Sequence, residues 1–220
     1  MPSGPVSARL FIWYPNEDPN GDTHIGHASL YLGNYEVGKN FEISLDPRSP
    51  EYVMPSALET AFGASGVHYN QNYVSWWPED GSFGRAEPKL GLYQDVAAER
   101  SEPHVVYDLY GLSVEKMRLR WKEIRDKPKA NYNFLRKNCA DVVHRVLTSG
   151  GVLGRLPLLQ RGLHVNTGIM TPKRVASLAD ALRNAGWAIK TKAGNCPTKA
   201  SSQRDAGALG PILMPLLRLR

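Results

Sequence analysis

The chain has 220 residues, of which 42% are hydrophobic and 22% charged, a composition typical of a globular domain with one core. No apolar run reaches the roughly 20 residues of a membrane helix, and the N-terminus lacks the basic and apolar regions of a secretory signal. The net charge is +6, but residues 1–114 hold six basic and fifteen acidic residues, whereas residues 115–220 hold twenty-one basic and six acidic ones. This uneven distribution disfavours nucleic acid as a partner.

Strands separated by turns are predicted in the first half of the chain. Segments rich in aromatic and branched residues end at Pro, Gly or Asp-Pro, which is typical of a hairpin or meander. A short helix is predicted over Ser56–Phe62, and residues 78–103 are predicted to be a long loop. The predicted strands are Arg9–Tyr14, His27–Leu32, Asn40–Leu45, Tyr73–Trp77 and Val105–Leu109.

Three helices are predicted in the second half, because the apolar spacing changes to three and four residues. The first follows the cap residue Ser113 and ends before Pro128. The second begins near Asn138 and ends at the Gly150-Gly151 pair. The third has Thr171 as its cap and Pro172 in its first turn.

Strands followed by helices predict an α+β fold, with an antiparallel sheet packed against helices. We expect one domain over residues 1–189. Residues 190–220 are polar, basic and rich in Gly and Pro, and we expect them to form an extended or weakly ordered tail. Among the aromatic residues near the predicted strands, we expect most to fill the core, although some could line a groove for an acyl or peptide group: Tyr31, Tyr73, Trp76 and Trp77.

Cys139 lies at the predicted start of the second helix. The unpaired N–H groups and positive end of a helix stabilise a thiolate and can hold an oxyanion. Arg136 and Lys137 add positive charge nearby. Cys139 is therefore a candidate nucleophile, although a buried structural cysteine would give the same pattern. Cys196 precedes a polar tail, and we interpret it as an incidental thiol.

A thiol nucleophile requires a base, and His27 opens a predicted strand that would hold it rigidly. The neighbouring Gly26 leaves room for a substrate or a packing helix. His24 lies in the preceding loop and could support the site. His144 follows Cys139 by five residues, about 140° around the helix, and should point away. The remaining histidines lack a flanking pattern and are interpreted as surface or satisfied loop residues: His68, His104 and His164.

Three segments together suggest a family: Gly26-His-Ala-Ser-Leu-Tyr-Leu32, Tyr73-Val-Ser-Trp-Trp-Pro78 and Asn138-Cys-Ala-Asp-Val-Val143. They resemble circularly permuted papain-like cysteine hydrolases, a superfamily that includes NlpC-type cell-wall endopeptidases and lecithin retinol acyltransferases. In its permuted members the histidine strand precedes the cysteine helix, which is the order here. The combination also resembles bacterial toxin and secretion-system effector domains.

The resemblance implies that Cys139 is the nucleophile and His27 its base. A third, orienting residue would lie on the strand next to the histidine strand. Ser75 has this role if that neighbour is Tyr73–Trp77, which we favour, whereas Asn40 or Glu42 has it if the neighbour is Asn40–Leu45. A carboxylate at Asp141 opposes a thiolate unless it caps the helix or pairs with Arg145.

The expected function is that of a cysteine peptidase or amidase that forms an acyl-enzyme, without a metal or other cofactor. Its substrate would be peptidoglycan or a protein, and a secretion apparatus and an immunity protein are the partners that the resemblance implies. Two alternatives are an inactive domain of the same fold that binds a partner and a basic nucleic-acid-binding protein. A zinc site at His24, His27 and Cys139 is a further alternative, but the chain lacks paired ligands of the C-x₂-C type.

Overall fold

The computed structural model describes residues 2, 4–17, 23–38, 72–79, 83–89, 91–127, 130–165 and 168–197. Strands dominate the earlier part of these residues and helices the later part, so the predicted α+β class is confirmed. The predicted strand Asn40–Leu45 and the predicted helix Ser56–Phe62 lie outside the described residues. Within the described ranges, no helix is both long and apolar enough to cross a membrane.

A five-stranded antiparallel sheet forms the centre of the fold. In spatial order its strands are β10 (Ala188–Lys192), β8 (Val105–Tyr110), β1 (Val6–Trp13), β4 (His27–Leu32) and β5 (Tyr73–Val74). Between β1 and β4 in the chain, β2 (Asn16–Glu17) pairs with β3 (Thr23–His24). The register of β1 and β4 places Trp13 opposite His27. The first residue of β4 therefore lies at the end of the sheet where β1 finishes.

A smaller sheet lies beside the large one. It consists of β6 (Trp77–Pro78), β7 (Phe83–Glu87) and β9 (Asn131–Asn133). Strand β9 leads through a turn to the residues before Cys139, with backbone bonds from Arg136 and Lys137 to Asn133. The smaller sheet thus connects the chain after β5 with the approach to the cysteine helix.

The three predicted helices are present, and each begins at its predicted cap. The side chains of Ser113, Asn138 and Thr171 accept hydrogen bonds from the backbone N–H three residues later, which satisfies donors that a helix start leaves unpaired. In chain order the helices are α1 (Tyr35–Gly38), α2 (Leu92–Glu99), α3 (Val114–Arg125), α4 (Cys139–Ser149), α5 (Leu158–Arg161) and α6 (Pro172–Asn184), with 3₁₀ turns at Val152–Arg155 and Gly162–His164.

The two faces of the large sheet differ in what covers them. We call the face packed against α3, α4 and α6 the apolar face, and its strand residues include Leu10, Ile12 and Leu30. We call the opposite face the polar face. It carries a small aromatic cluster of Phe11, Trp13, Tyr31 and Tyr73, against which Leu92 and Val96 of α2 pack.

Three sequence predictions differ from the structure. The predicted strand Tyr73–Trp77 is divided into β5 and β6, which belong to different sheets. Residues 78–103 are not one long loop, because they contain β7 and α2. Helix α2 has only two turns, and its cap residue, Gly91, has no side chain that could cap it. The local sequence therefore predicts this helix only weakly. The boundary expected at residue 189 falls inside β10, whose residues pair with β8 as far as Lys192.

Candidate active site

Cys139 is the first residue of α4 and is 6% exposed. The preceding Asn138 fixes the start of the helix. Its side-chain oxygen accepts from the Asp141 N–H at 2.8 Å, and its amide nitrogen donates to the carbonyls of Phe134 and Met170, also at 2.8 Å. The N-terminus of α4 is therefore held to the turn before it and to the loop that precedes α6.

His27 is held by backbone geometry at the junction of β1 and β4. Gly26 has a φ of +81°, and a Cβ added there would lie 2.6 Å from the Trp13 carbonyl and 2.9 Å from the Pro15 nitrogen. The chain's own backbone fills the space that a side chain at position 26 would need, while Gly26 itself lines the pocket beside Cys139. The glycine lets β4 begin close against the end of β1, which fixes where His27 lies.

Asp95, on α2, is the centre of the polar network. It is fully buried, and its carboxylate accepts hydrogen bonds from four side chains. The donors are His27 Nε2 at 3.2 Å, the Tyr73 hydroxyl at 2.5 Å, Ser75 Oγ at 2.8 Å and Trp77 Nε1 at 2.7 Å. A buried carboxylate with this number of donors is well satisfied in its ionised form.

The charges of this network favour a protonated imidazole beside a carboxylate. Burial alone would lower the pKa of His27, but the charge of Asp95 and the neighbouring Cys139 raise that pKa well above its ordinary value. Burial alone would raise the pKa of Asp95, but His27, Tyr73 and Ser75 lower it. Both shifts in pKa favour the ion pair of the two side chains over their neutral forms.

The orientation of the His27 ring follows from these contacts. Nε2 faces Asp95, so Nδ1 is the ring nitrogen that remains for another partner. Cys139 lies close enough to His27 to raise its pKa through charge and a hydrogen bond. The indole of Trp77 stacks on the imidazole, with ring centroids 4.4 Å apart and planes inclined by 26°. Trp77 thus covers the His27 ring and also donates a hydrogen bond to the Asp95 carboxylate.

A narrow pocket adjoins Cys139 and has about 60 Å³ of space open to water-sized molecules. Its lining is mainly apolar and comes from the residues before β4, the approach to α4 and the loop before α6. Tyr132 belongs to this lining, and its hydroxyl faces the backbone of Cys139; burial raises the pKa of Tyr132. Among the pocket residues are Pro15, Ile25, Phe134, Ile169 and Met170.

Of the candidate third residues, the structure brings Ser75 to the site. Strand β5 is the neighbour of β4, as the favoured alternative assumed, and Ser75 Oγ lies 3.4 Å from His27 Nε2. The hydroxyl of Ser75 also donates to Asp95 at 2.8 Å. Asn40 and Glu42 lie outside the described residues.

Asp95 is the residue that sequence reasoning missed. Its helix falls in the predicted loop, so no element was available to place it. A signal existed in the spacing of Leu92, Asp95 and Val96, which puts a carboxylate on the apolar stripe of a two-turn helix. A charged residue on such a stripe is seldom buried unless it is paired.

The other predicted residues lie as follows. Asp141 is buried and pairs with Arg145 at 2.8 Å, which is the i,i+4 pairing considered from the sequence. His144 Nε2 bonds to the carbonyl of His164 at 2.8 Å, outside the network of Asp95. His104 accepts from the Tyr14 N–H at 2.8 Å, and His24 lies in β3.

Tyr31, Tyr73 and Trp76 are buried in the core, as expected for most of the aromatic group. Among the described residues, no group of three or more His, Cys, Asp and Glu side chains is arranged to hold a metal ion.

Comparisons with known proteins identify relatives of part of the chain. Residues 91–201 match the family described as the IcsB middle domain, a match that covers half of the chain and includes Asp95 and Cys139. The multifunctional-autoprocessing repeats-in-toxin proteins of Vibrio vulnificus and Vibrio cholerae serotype O1 are each 32% identical over 109 residues, which is 49% of this chain. The matched region spans 2% of the length of these toxins. Together the matches indicate a bacterial toxin- or effector-like domain.

Proposed function

The chain belongs to the IcsB middle-domain family, and we propose that it is a cysteine hydrolase that cleaves a peptide or amide bond through an acyl-enzyme. The observation that carries this proposal is the buried ion pair of His27 and Asp95 beside Cys139 at the start of α4. A nucleophile at a helix N-terminus, a base and a carboxylate that orients the base are the elements of nucleophilic catalysis.

The proposed reaction begins with the Cys139 proton already on His27, so that a thiolate lies beside the imidazolium that Asp95 stabilises. The thiolate sulfur attacks the carbonyl carbon of the substrate, and the carbonyl electrons move to oxygen. N–H groups at the start of α4 are the candidates to stabilise this oxyanion. When the C–N bond breaks, the imidazolium protonates the departing amine, which leaves a thioester on Cys139.

Water then attacks the thioester. His27, now neutral, takes a proton from the water as the water oxygen attacks, and the C–S bond breaks. The acid product leaves, and the Cys139 thiolate again lies beside the His27 imidazolium. Asp95 acts as a positioning residue in both stages, because it holds Nε2 and stabilises the imidazolium. Tyr73, Ser75 and Trp77 in turn fix the carboxylate by their hydrogen bonds.

A second candidate function is acyl transfer, in which another nucleophile replaces water in the last stage. The apolar lining of the pocket beside Cys139 favours it, since such a lining suits a hydrocarbon group on the carbonyl better than a charged peptide. The sequence resemblance to lecithin retinol acyltransferases points the same way. Both candidates share the thioester on Cys139, so the same residues carry them.

The substrate we propose is peptidoglycan or a protein of a target cell. The toxin relatives support a toxin or effector setting, in which a secretion apparatus would deliver the chain and an immunity protein would protect the producer. A domain that only binds a partner would use neither Cys139 nor His27 for chemistry.

The first test is expression in the bacterial cytoplasm and periplasm of the wild type, Cys139→Ala and His27→Gln, with Cys196→Ala as the matched control. We expect growth inhibition by the wild type and by Cys196→Ala, and loss of inhibition in the other two. Inhibition only in the periplasm, with altered muropeptides, would identify peptidoglycan. Equal inhibition by all four proteins would contradict the mechanism.

A second test separates hydrolysis from transfer. Purified protein is mixed with p-nitrophenyl esters of increasing chain length, and intact mass spectrometry follows the adduct on Cys139. Water alone should clear the adduct if the chain is a hydrolase. An adduct that persists in water and is cleared by hydroxylamine would identify an acyltransferase, and no adduct with any ester would count against both.

A further inference from the structure

Helix α5 and the 3₁₀ turn after it carry a cluster of exposed leucines. The exposed fractions are 76% for Leu158, 93% for Leu159 and 75% for Leu163, and Val165 beside them is 43% exposed. We call these four residues the leucine patch. Single exposed apolar residues are ordinary, whereas a contiguous group of large ones marks an interaction surface.

The segment is anchored at both ends while its leucines remain outside the core. Leu156, just before α5, is 2% exposed, and its carbonyl accepts from Arg161 Nε at 3.1 Å. At the other end, the carbonyl of His164 bonds to buried His144 on α4. The leucine patch is therefore held in position by the fold and is not a frayed end.

Along the sequence, the charge around the leucine patch has one sign. Residues 142–179 include five Arg and Lys residues and no Asp or Glu. Two of the basic residues, Arg155 and Arg161, are exposed and flank Leu158 and Leu159 in the sequence, and the Arg155 guanidinium lies 4.5 Å from the centroid of the Trp187 ring. This surface is therefore both apolar and cationic, which is the combination that anionic lipid surfaces attract.

A groove of about 640 Å³ between α3 and α4 continues this surface. Its lining includes Val165 of the leucine patch and Leu119, which is 60% exposed. Lys116 provides a cation there, whereas Arg120 is paired with Glu123 at 2.9 Å and Arg145 with Asp141 at 2.8 Å. The apolar character thus extends onto the neighbouring helices, with Lys116 as an additional cation.

We propose that the leucine patch docks this domain on the surface of an anionic lipid bilayer. The leucines enter the boundary between headgroups and acyl chains, and Arg155 and Arg161 remain at the level of the phosphates. Two adjacent leucines that project this far suit a deformable medium, since a folded protein partner would need a cavity shaped for both. The loop after the patch contributes Ile169 and Met170 to the pocket beside Cys139, so docking brings that pocket to the membrane surface.

The test is co-sedimentation of the full 220-residue chain with phosphatidylcholine vesicles, with and without phosphatidylserine. We expect binding to the anionic vesicles, and loss of about tenfold or more of the affinity in the triple variant L158S/L159S/L163S. The matched control is Ile189→Ser, an apolar residue 41% exposed on β10, which should bind as the wild type does. Arg161→Gln should weaken binding less than the triple variant, and more at low salt than at high salt.

Three outcomes would overturn the proposal. The first is equal binding to vesicles with and without phosphatidylserine, and the second is unchanged binding of the triple variant. The third is a wild type that does not bind vesicles but forms a dimer, together with a triple variant that is monomeric. If the triple variant does not fold, the variant Leu159→Cys in a Cys139→Ser/Cys196→Ser background is labelled with an environment-sensitive fluorophore. Emission that does not change when anionic vesicles are added would equally overturn the proposal. Cys139→Ala should bind vesicles normally, which keeps this inference separate from the proposed chemistry.

Discussion

The two faces of the large sheet differ in what they contribute to stability and to chemistry, although Cys139 itself begins α4 on the apolar face. On the apolar face, three helices bury a continuous cluster that includes Trp121 and Met117, both fully buried. On the polar face, α2 and Tyr35 of α1 pack on a small aromatic cluster, and α2 brings Asp95 to His27. The same strands serve both faces, because successive side chains along a strand point to opposite sides.

This difference shows how a buried charge pair can be tolerated. Removing ions from water is costly unless they are paired and hydrogen-bonded, and the polar face meets that condition with four donors around Asp95. Burial of apolar area on the other face supplies the favourable term that folding requires. We therefore expect substitutions on the polar face to affect activity most and substitutions on the apolar face to affect stability most.

The largest expected effect is that of Asp95→Asn on activity. The amide keeps the size of the side chain but removes the charge that holds the imidazolium, so the rate should fall about 10²–10⁴-fold. The rate of thioester formation on Cys139 measures it, and circular dichroism checks the fold. A variant with the wild-type rate would show that Asp95 has no part in the reaction.

Trp121→Ala tests the apolar face. The side chain is fully buried and packs edge-on against Trp76, with centroids 6.0 Å apart, so its loss should lower the free energy of unfolding by about 3–5 kcal/mol. Urea unfolding measures this change. Leu119→Ala on the same helix, where the leucine is 60% exposed, is the control and should change stability little; equal losses in the two variants would contradict the division.

A smaller loss is expected for Gly26→Ala, at the junction that positions His27. A residue with Cβ is strained at a φ of +81° and would clash with the Trp13 carbonyl, so we expect about 1–3 kcal/mol of destabilisation. Gly151→Ala is the matched control, since its φ is +89° but nothing lies within 4 Å of the added Cβ. Equal thermal shifts in the two variants would mean that the close approach to β1 is unimportant.

The smallest effect concerns pH. Because the pKa of His27 is raised in the folded state, its contribution to stability is complete below the unfolded value of about 6.5 and is lost as the pH rises toward the folded value. The stability advantage of the wild type over His27→Gln should therefore shrink between neutral and alkaline pH. Urea unfolding of both proteins across this range measures it, and an advantage that grows with pH would contradict the ion pair.

Local sequence signals predicted the elements whose ends are marked by cap residues or glycine. Ser113, Asn138 and Thr171 are helix caps, and the run from His27 to Leu32 ends at a glycine, so these boundaries could be derived from neighbouring residues alone. The position of Cys139 at a helix start followed from the same reasoning.

What the sequence could not predict depends on contacts between distant segments. Asp95 meets His27 across 68 positions of the chain, and its helix is too short and too weakly capped to be recognised without the sheet it packs on. Strand β10 likewise exists through its pairing with β8. The close approach of Gly26 to the Trp13 carbonyl was likewise not predictable, because Trp13 belongs to another strand.

The reactivity of the two cysteines within one chain tests the central claim most directly. Cys139 is 6% exposed whereas Cys196 is only partly buried, so exposure alone would make Cys196 react faster. If His27 and Asp95 hold Cys139 as a thiolate, iodoacetamide at about pH 6 should modify Cys139 roughly tenfold faster than Cys196, and His27→Gln should abolish that preference. Mass spectrometry of the peptides measures both rates. Faster modification of Cys196, or a preference for Cys139 that persists in His27→Gln, would contradict the account.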